Sequence, residues 1–370
     1  MSRFIRELYK DFKSYTPGEQ PKDRKYLKLN TNESPFPPAP AVYQAMRDAD
    51  MEQMRLYPDP TGRKLKVKMA ELYEVQPENV FLSNGSDDIL NFAFMAWNDT
   101  NDSIVIPDVT YSFYEVVAHL HEIKYEIKPL RDDLTVDLEG YVGIGKNIVL
   151  PNPNAPTGIA LTRAHIEELV RSNPDNVVII DEAYAGFGAE SAIPLTRKYD
   201  NLLVVQTFSK SRSFAGGRLG FAVGDAALIE DLTKMQYSTN PYAVNAMSLI
   251  LAEAAVDAED YYQENLQRII EARDYAADKL NALGFDVLPS QANFLYMKLD
   301  GFGGRELYEK LKERGVLVRH FAKPRIDDYI RVTIGTKEQM DELVEVIKAV
   351  LGDKQHEGFR LITSYKISKS

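Results

Sequence analysis

Six short runs of mostly branched aliphatic residues, spaced through residues 80–224 with helical patterns between them, leave this chain few folds to choose from. The runs are V-F-L-S (80–83), S-I-V-I (103–106), N-I-V-L (147–150), N-V-V-I-I-D (176–181), N-L-L-V-V (201–205) and L-G-F-A-V (219–223). Such alternation implies right-handed crossovers and an α/β fold: a mainly parallel sheet sandwiched by helices. Residues 225–282 then read as successive helices, the last one long. Beyond Gly284 strands (284–288, 293–298, 315–319, 329–334) interleave with helices (304–314, 337–351), which predicts a smaller α+β domain.

Ahead of the sheet, Phe4, Ile5, Leu8, Tyr9 and Phe12 are spaced as one face of a short helix over residues 3–13. An extended stretch follows, then Pro35, Pro37, Pro38 and Pro40, a density that suits an irregular arm and not a helix. A helix is expected to begin near Arg63. Chain ends often meet, so the arm is expected to join the small domain. The predicted organisation is residues 1–40 as N-terminal arm and part of the small domain, 41–270 as the large domain, 271–351 as the small domain, and 352–370 as a tail without assignment.

Open α/β sheets bind ligands beyond the carboxyl ends of their strands, and the loops there carry the polar residues of interest. After V-F-L-S comes N-G-S-D-D, which places Gly85, Ser86 and Asp87 at a helix N-terminus. That is an anion site by its free N–H groups, or an ordinary capped helix. After N-I-V-L the loop P-N-P-N-A-P-T-G (151–158) offers Asn152 and Asn154 from a proline-stiffened segment. Asp181 emerges from an apolar strand, so its carboxylate is partly buried and calls for a cationic partner; Tyr184 follows three residues on. The fourth loop, T-F-S-K-S-R-S-F-A-G-G-R-L-G (207–220), surrounds Lys210 with Thr207, Ser209, paired glycines and Arg218. Taken alone it is either a basic surface loop or the home of a Schiff-base lysine. Asn154, Asp181 and Lys210 lie one βαβ unit apart and therefore reach the same sheet edge. A donor, a carboxylate and an amine converging there match the needs of pyridoxal 5′-phosphate: the carboxylate keeps the ring nitrogen protonated and the lysine attaches the aldehyde.

Composition narrows the partners. A net charge of −11 argues against nucleic acid and anionic membranes. The absence of cysteine removes disulfides and thiolate chemistry and fits a cytoplasmic protein. The N-terminus mixes charges through its apolar residues and is no signal peptide, and no apolar run reaches membrane-spanning length. G-Y-V-G-I-G-K-N (140–147) nearly spells a P-loop, but Asn147 stands where a hydroxyl is required and the stretch precedes a strand. His119 and His121 are two apart, off a common helix face, so no metal site is expected.

The segments D-E-A-Y, S-K-S-R-S-F-A-G-G-R-L-G and N-P-N-A-P-T-G resemble those of fold-type I pyridoxal-phosphate-dependent aminotransferases, in the class II group. The similarity runs from about Tyr15 to Leu351 and includes K-L-N-T-N-E-S-P, Y-P-D-P-T-G, T-Y-S-F-Y, Q-A-N-F-L and I-R-V-T-I-G-T in order. Within that group the chain is most similar to the histidinol-phosphate aminotransferases. The resemblance implies transfer of an amino group from L-histidinol phosphate to 2-oxoglutarate, giving imidazole-acetol phosphate and L-glutamate in histidine biosynthesis. The alternatives are an aromatic amino-acid aminotransferase or a pyridoxal-phosphate-dependent amino-acid-phosphate decarboxylase.

Carried onto this chain, the resemblance implies that Lys210 attaches the cofactor and serves as the catalytic base. Asp181 would pair with the ring nitrogen, Tyr184 would bond the ring 3′-oxygen, and Tyr111 would stack on the ring. The cofactor phosphate would be held by the Gly85–Ser86–Asp87 turn through backbone N–H groups, and by Thr207, Ser209 and Arg218. Tyr57 would reach the phosphate of the neighbouring subunit, making the active unit a homodimer. Arg331 would grip an α-carboxylate and Arg319 the substrate phosphate, with Tyr15 and Asn32 lining the same pocket. One departure stands out: Ala155 occupies the position where the family carries asparagine on the ring oxygen, so Asn154 is expected to supply that amide, or Tyr184 to act alone.

Overall fold

The computed structural model describes residues 2–99 and 103–367. In chain order it forms β1 (Leu27–Lys28), α1 (Pro40–Asp48), α2 (Arg63–Tyr73), β2 (Val80–Ser83), α3 (Ser86–Trp97), β3 (Ser103–Pro107), α4 (Phe113–Leu120) and β4 (Lys124–Lys128). It continues with β5 (Asn147–Pro151), α5 (Arg163–Ser172), β6 (Val178–Asp181), β7 (Leu202–Thr207), α6 (Phe208–Ser211), β8 (Gly220–Gly224), α7 (Ala226–Thr239) and α8 (Ala246–Asp257). The last group is α9 (Glu259–Ala282), β9 (Asp286–Val287), β10 (Phe294–Lys298), α10 (Gly304–Glu313), β11 (Val316–Leu317), β12 (Arg319–His320), β13 (Ile330–Thr333) and α11 (Lys337–Ile367).

Seven strands form the main sheet in the order β2-β8-β7-β6-β5-β3-β4. β8 runs antiparallel to both its neighbours, and the pairs from β7 to β4 are parallel. The apolar runs are continuous because both faces are covered, and the two-residue period decides which core each side chain joins. Leu150, Val178, Ile180, Leu202 and Val204 point into a core closed by α2, α5 and α8. Val149, Ile179, Leu203 and Val205 point the other way, into a core closed by α3, α4 and α7. Cα register pairs Pro151 with Asp181 and Asp181 with Val205, so the loops leaving β5, β6 and β7 start side by side.

A second, four-stranded antiparallel sheet has the order β12-β13-β10-β9, and β1 pairs in parallel with β11 beside it. Its core takes Leu29 from the N-terminal segment together with residues of α9, α10 and α11. The 24-residue α9 serves both units: Tyr262 near its start packs in the main core, while Leu266, Ile269, Ala276 and Leu280 pack in the second.

Four local features differ from the sequence reading or add to it. The helix expected over residues 3–13 is a single 3-10 turn, Glu7–Tyr9. Phe4 and Leu8 are exposed and Ile5, Tyr9 and Phe12 only half-buried, so the apolar face gains little from packing, and an isolated helix under about 12 residues is marginal in water. β4 was not foreseen; its K-Y-E-I-K sequence is that of an edge strand guarded by charge. Pro40 closes the proline cluster by opening α1 at its first position, where its missing N–H costs nothing. The C-terminal stretch after Gly352 continues α11 as helix through Ile367. No helix among the described residues is long and apolar enough to cross a membrane.

Candidate active site

The carboxyl ends of β5, β6 and β7 open into a cavity of about 590 Å3. Lys210 enters it from α6, immediately after β7, where Thr207 Oγ1 caps the turn by accepting the Ser209 N–H at 3.1 Å. The lysine is half-buried, and its Nζ donates to the Thr31 carbonyl at 3.0 Å. Burial pushes the amine down to about 8; Arg331 and Arg218 push the same way, while Glu33 and Asp87 oppose them. A lysine so placed is a neutral nucleophile and base above about pH 8, well below the range of an exposed lysine.

Asp181 ends β6, 3% exposed. The cationic partner expected from its sequence setting is absent among the described residues. Its Oδ2 instead accepts the Tyr114 hydroxyl at 2.7 Å, and its Oδ1 the Ala183 N–H at 3.1 Å. Burial drives the carboxyl up to about 6, against the Tyr114 and Ala183 hydrogen bonds, and the nearby Asp87 adds to the rise. The site therefore holds a buried acid that lacks a countercharge. Tyr184, three residues on in the same loop, accepts Asn32 Nδ2 on its hydroxyl at 2.9 Å. Asn32 is itself fixed, with a left-handed φ of 56°, by Thr333 on β13 and by Asn293.

At the far end of the cavity α3 begins. Its N-cap is Gly85, φ 92°, and no side chain caps the first turn, which leaves its N–H groups open to an anion. Two features crowd this turn. A Cβ on Gly85 would lie 2.7 Å from Arg218 Nη2, and one on Gly220 would lie 2.5 Å from Ser86 N. Glycine at both positions lets β8 and the Arg218 guanidinium approach the free N–H groups. Ser86, Thr207, Ser209 and Arg218 line the cavity here, a set of donors suited to a phosphate. Asp87 also lines it; its Oδ1 accepts the Tyr111 hydroxyl at 3.0 Å, and burial raises its carboxyl above the ordinary range.

The opposite wall is cationic. Arg319 on β12 and Arg331 on β13 are Cα partners in adjacent strands, an arrangement of like charges that disfavours the sheet unless an anion or other acceptors relieve it. Arg331 donates Nη2 to the Asn30 carbonyl at 3.1 Å and lies over the Phe294 and Phe321 rings, leaving its buried Nε with no partner among the described residues. Arg319 donates to the Thr16 and Pro17 carbonyls at 3.1 and 3.4 Å. The N-terminal segment thus roofs the cavity, and Tyr15 meets the Tyr111 ring edge-on at 5.7 Å.

Two expected residues lie elsewhere. Asn154 does not line the cavity: its Nδ2 is taken by the Val109 carbonyl (3.0 Å) and Thr157 Oγ1 (3.1 Å), and Ala155 faces the cavity instead. The expectation that Asn154 replaces the missing amide is corrected on that ground. Tyr57 is 80% exposed, stacked on Tyr242 at 4.4 Å, and outside the cavity of its own chain. Sequence reasoning missed Tyr114, which looks like any core aromatic until its partner is seen. It also missed Glu182, buried beside Asp181, which accepts from Gln206, Ser191 and the Ala192 N–H and is pushed by burial up to about 7.

Comparison with known proteins agrees with this geometry. The family described as "Aminotransferase class I and II" matches residues 24–347. The histidinol-phosphate aminotransferase of Brachyspira hyodysenteriae is 48% identical over 352 residues, covering 95% of this chain and 99% of that protein. That of Syntrophus aciditrophicus is 49% identical over 340 residues, covering 90% and 94%. Among solved structures, the histidinol-phosphate aminotransferase of Sinorhizobium meliloti in complex with pyridoxal-5′-phosphate superposes with a TM-score of 0.80 at 24% identity, over 88% of this chain and 92% of that one. At that identity the likeness speaks for the fold.

Proposed function

The chain belongs to the class I and II aminotransferases, and from that premise we propose that it transfers an amino group from L-histidinol phosphate to 2-oxoglutarate, with pyridoxal 5′-phosphate as cofactor. The residues present fit that cofactor. A buried carboxylate without a countercharge (Asp181) suits a protonated ring nitrogen, an uncapped helix N-terminus beside Arg218 suits its phosphate, and a depressed lysine amine suits its aldehyde. Asp181, Tyr184, Tyr111, Ser86, Ser209 and Arg218 would hold it, with Lys210 attaching it. Bound, the cofactor supplies an electron sink for the charge left when the substrate loses its Cα proton.

The protein's own part is positioning and proton transfer. Lys210 Nζ, released as a free amine when the substrate amine takes its place, would take the proton from the substrate Cα. Arg331 forks onto the α-carboxylate of glutamate, and Arg319 meets the phosphate of histidinol phosphate. The observation that carries the substrate reading is the Arg319–Arg331 pair, adjacent in register on the cavity wall. The Tyr15, Tyr111 and Phe321 rings lining the same cavity favour a second reading, an aromatic amino acid as donor.

Tyr57 is read as a contribution to the phosphate site of a second copy of the chain, supported by its exposure and its place outside its own cavity. A panel of amino donors decides the substrate: histidinol phosphate, phenylalanine, tyrosine and threonine phosphate are mixed singly with the cofactor-loaded enzyme, and loss of the cofactor's visible absorbance is followed. Histidinol phosphate is expected to react fastest. A faster reaction with phenylalanine or tyrosine overturns the phosphate reading in favour of the aromatic one.

A further inference from the structure

Tyr114 sits in the first turn of α4, 0% exposed, and spends its only donor on Asp181 Oδ2 at 2.7 Å. The Ala183 N–H occupies Oδ1 at 3.1 Å. One donor on each oxygen fixes the carboxylate plane and leaves lone pairs free for the cavity that Asp181 lines. The other groups facing Asp181 are Asp87, whose charge opposes its ionisation, and Tyr184. Tyr111 packs edge-on against the Tyr114 ring at 5.6 Å and turns its own hydroxyl to Asp87.

The kind of donor matters. A lysine or arginine at this place would hold Asp181 ionised but would also cancel its charge. A phenol stabilises the carboxylate by hydrogen bonding and leaves the negative charge available to a second partner. We propose that Tyr114 is the positioning residue of Asp181, holding its carboxylate charged and aimed so that it can keep a proton on a ring nitrogen bound in the cavity. The assignment rests on the cofactor reading above.

The test uses the full chain freed of cofactor, as wild type, Tyr114→Phe, Asp181→Asn and the double variant. Affinity for pyridoxal 5′-phosphate is measured by equilibrium dialysis from acid to neutral pH. Tyr114→Phe keeps the ring and its packing. It is expected to move the acid limb of binding up by about one pH unit, which weakens binding about tenfold below the limb and about twofold near pH 7. On the Asp181→Asn background the same change is expected to move neither. An unmoved limb in Tyr114→Phe, or an equal loss of affinity on both backgrounds, overturns the assignment, because packing alone would then account for the tyrosine. If the wild type itself fails to bind pyridoxal 5′-phosphate, the cofactor reading falls and this assignment with it; wild-type binding with an unmoved limb sinks the assignment alone.

Discussion

Replacing Arg319 with alanine separates the two substrates that this cavity must accept. Arg319 carries five guanidinium donors, of which two bonds go to neutral carbonyls of the N-terminal segment, so donors remain for an anion. A hydrogen bond to a charged group contributes about 1.5–3 kcal/mol net, so losing one from a substrate phosphate lowers kcat/KM by about 13- to 150-fold. A phosphate carries up to about twice the charge of a carboxylate, and at equal geometry glutamate should lose about half that energy, or about 4- to 13-fold.

The substitution also releases Thr16 and Pro17, and a loosened roof would slow every substrate. That loss is common to both donors and cancels in the ratio of their kcat/KM values. Single-turnover measurements with histidinol phosphate and with glutamate should therefore show the ratio falling about 4- to 13-fold in Arg319→Ala. A ratio unchanged within about twofold would refute the phosphate role and leave Arg319 as a tether for the N-terminal segment.

Two further expectations follow from the buried acids and from Tyr57. Glu182 is pushed from 4.5 up to about 7, so its contribution to the stability of the cofactor-free protein is present below pH 4.5 and is lost as pH rises through about 7. The Tm difference between wild type and Glu182→Gln should shift against the wild type across that window, and a difference independent of pH would contradict the burial argument. Lys210→Ala and Tyr57→Ala chains, each impaired alone, should regain activity when mixed and refolded together, because one site then has Lys210 from one chain and Tyr57 from the other. No regain on mixing would place Tyr57 in its own chain or outside the chemistry.

The main sheet was legible because its strands are buried on both faces and read as unbroken apolar runs, which few other structures produce. β4 escaped because an edge strand alternates charge with apolar residues and looks like surface. Asp181 and Lys210, at and just beyond the ends of such runs, and Arg218, just ahead of one, all line the cavity as their sequence positions suggest. Tyr114 was not legible, because its meaning lies in a contact with a residue 67 positions away, and an aromatic at a helix start otherwise signals only a core. Asn154 failed for the same reason in reverse: its amide was assigned by proximity in sequence, while the Val109 carbonyl, 45 positions away, had already claimed it.

Chemistry and substrate choice rest on different supports in this fold. Asp181 and the Thr207–Lys210 turn leave neighbouring strands of one ladder, whose spacing of about 4.8 Å hydrogen bonding enforces. Arg319 and Arg331 stand on a separate antiparallel sheet and reach the cavity from the other side. Their adjacent positive charges repel; their hydrogen bonds go to neutral carbonyls, Asn30 for Arg331 and Thr16 and Pro17 for Arg319, while the Phe294 and Phe321 rings and the Glu19 carboxylate relieve them in part. A dianion offers Arg319 a stronger acceptor than those carbonyls and lowers the repulsion with Arg331 at the same time. The pair is therefore poised for anions as a class, and the fit of the remaining group against Tyr15, Tyr111 and Phe321 selects among them, while the strand-borne reagents need not move when that selection changes.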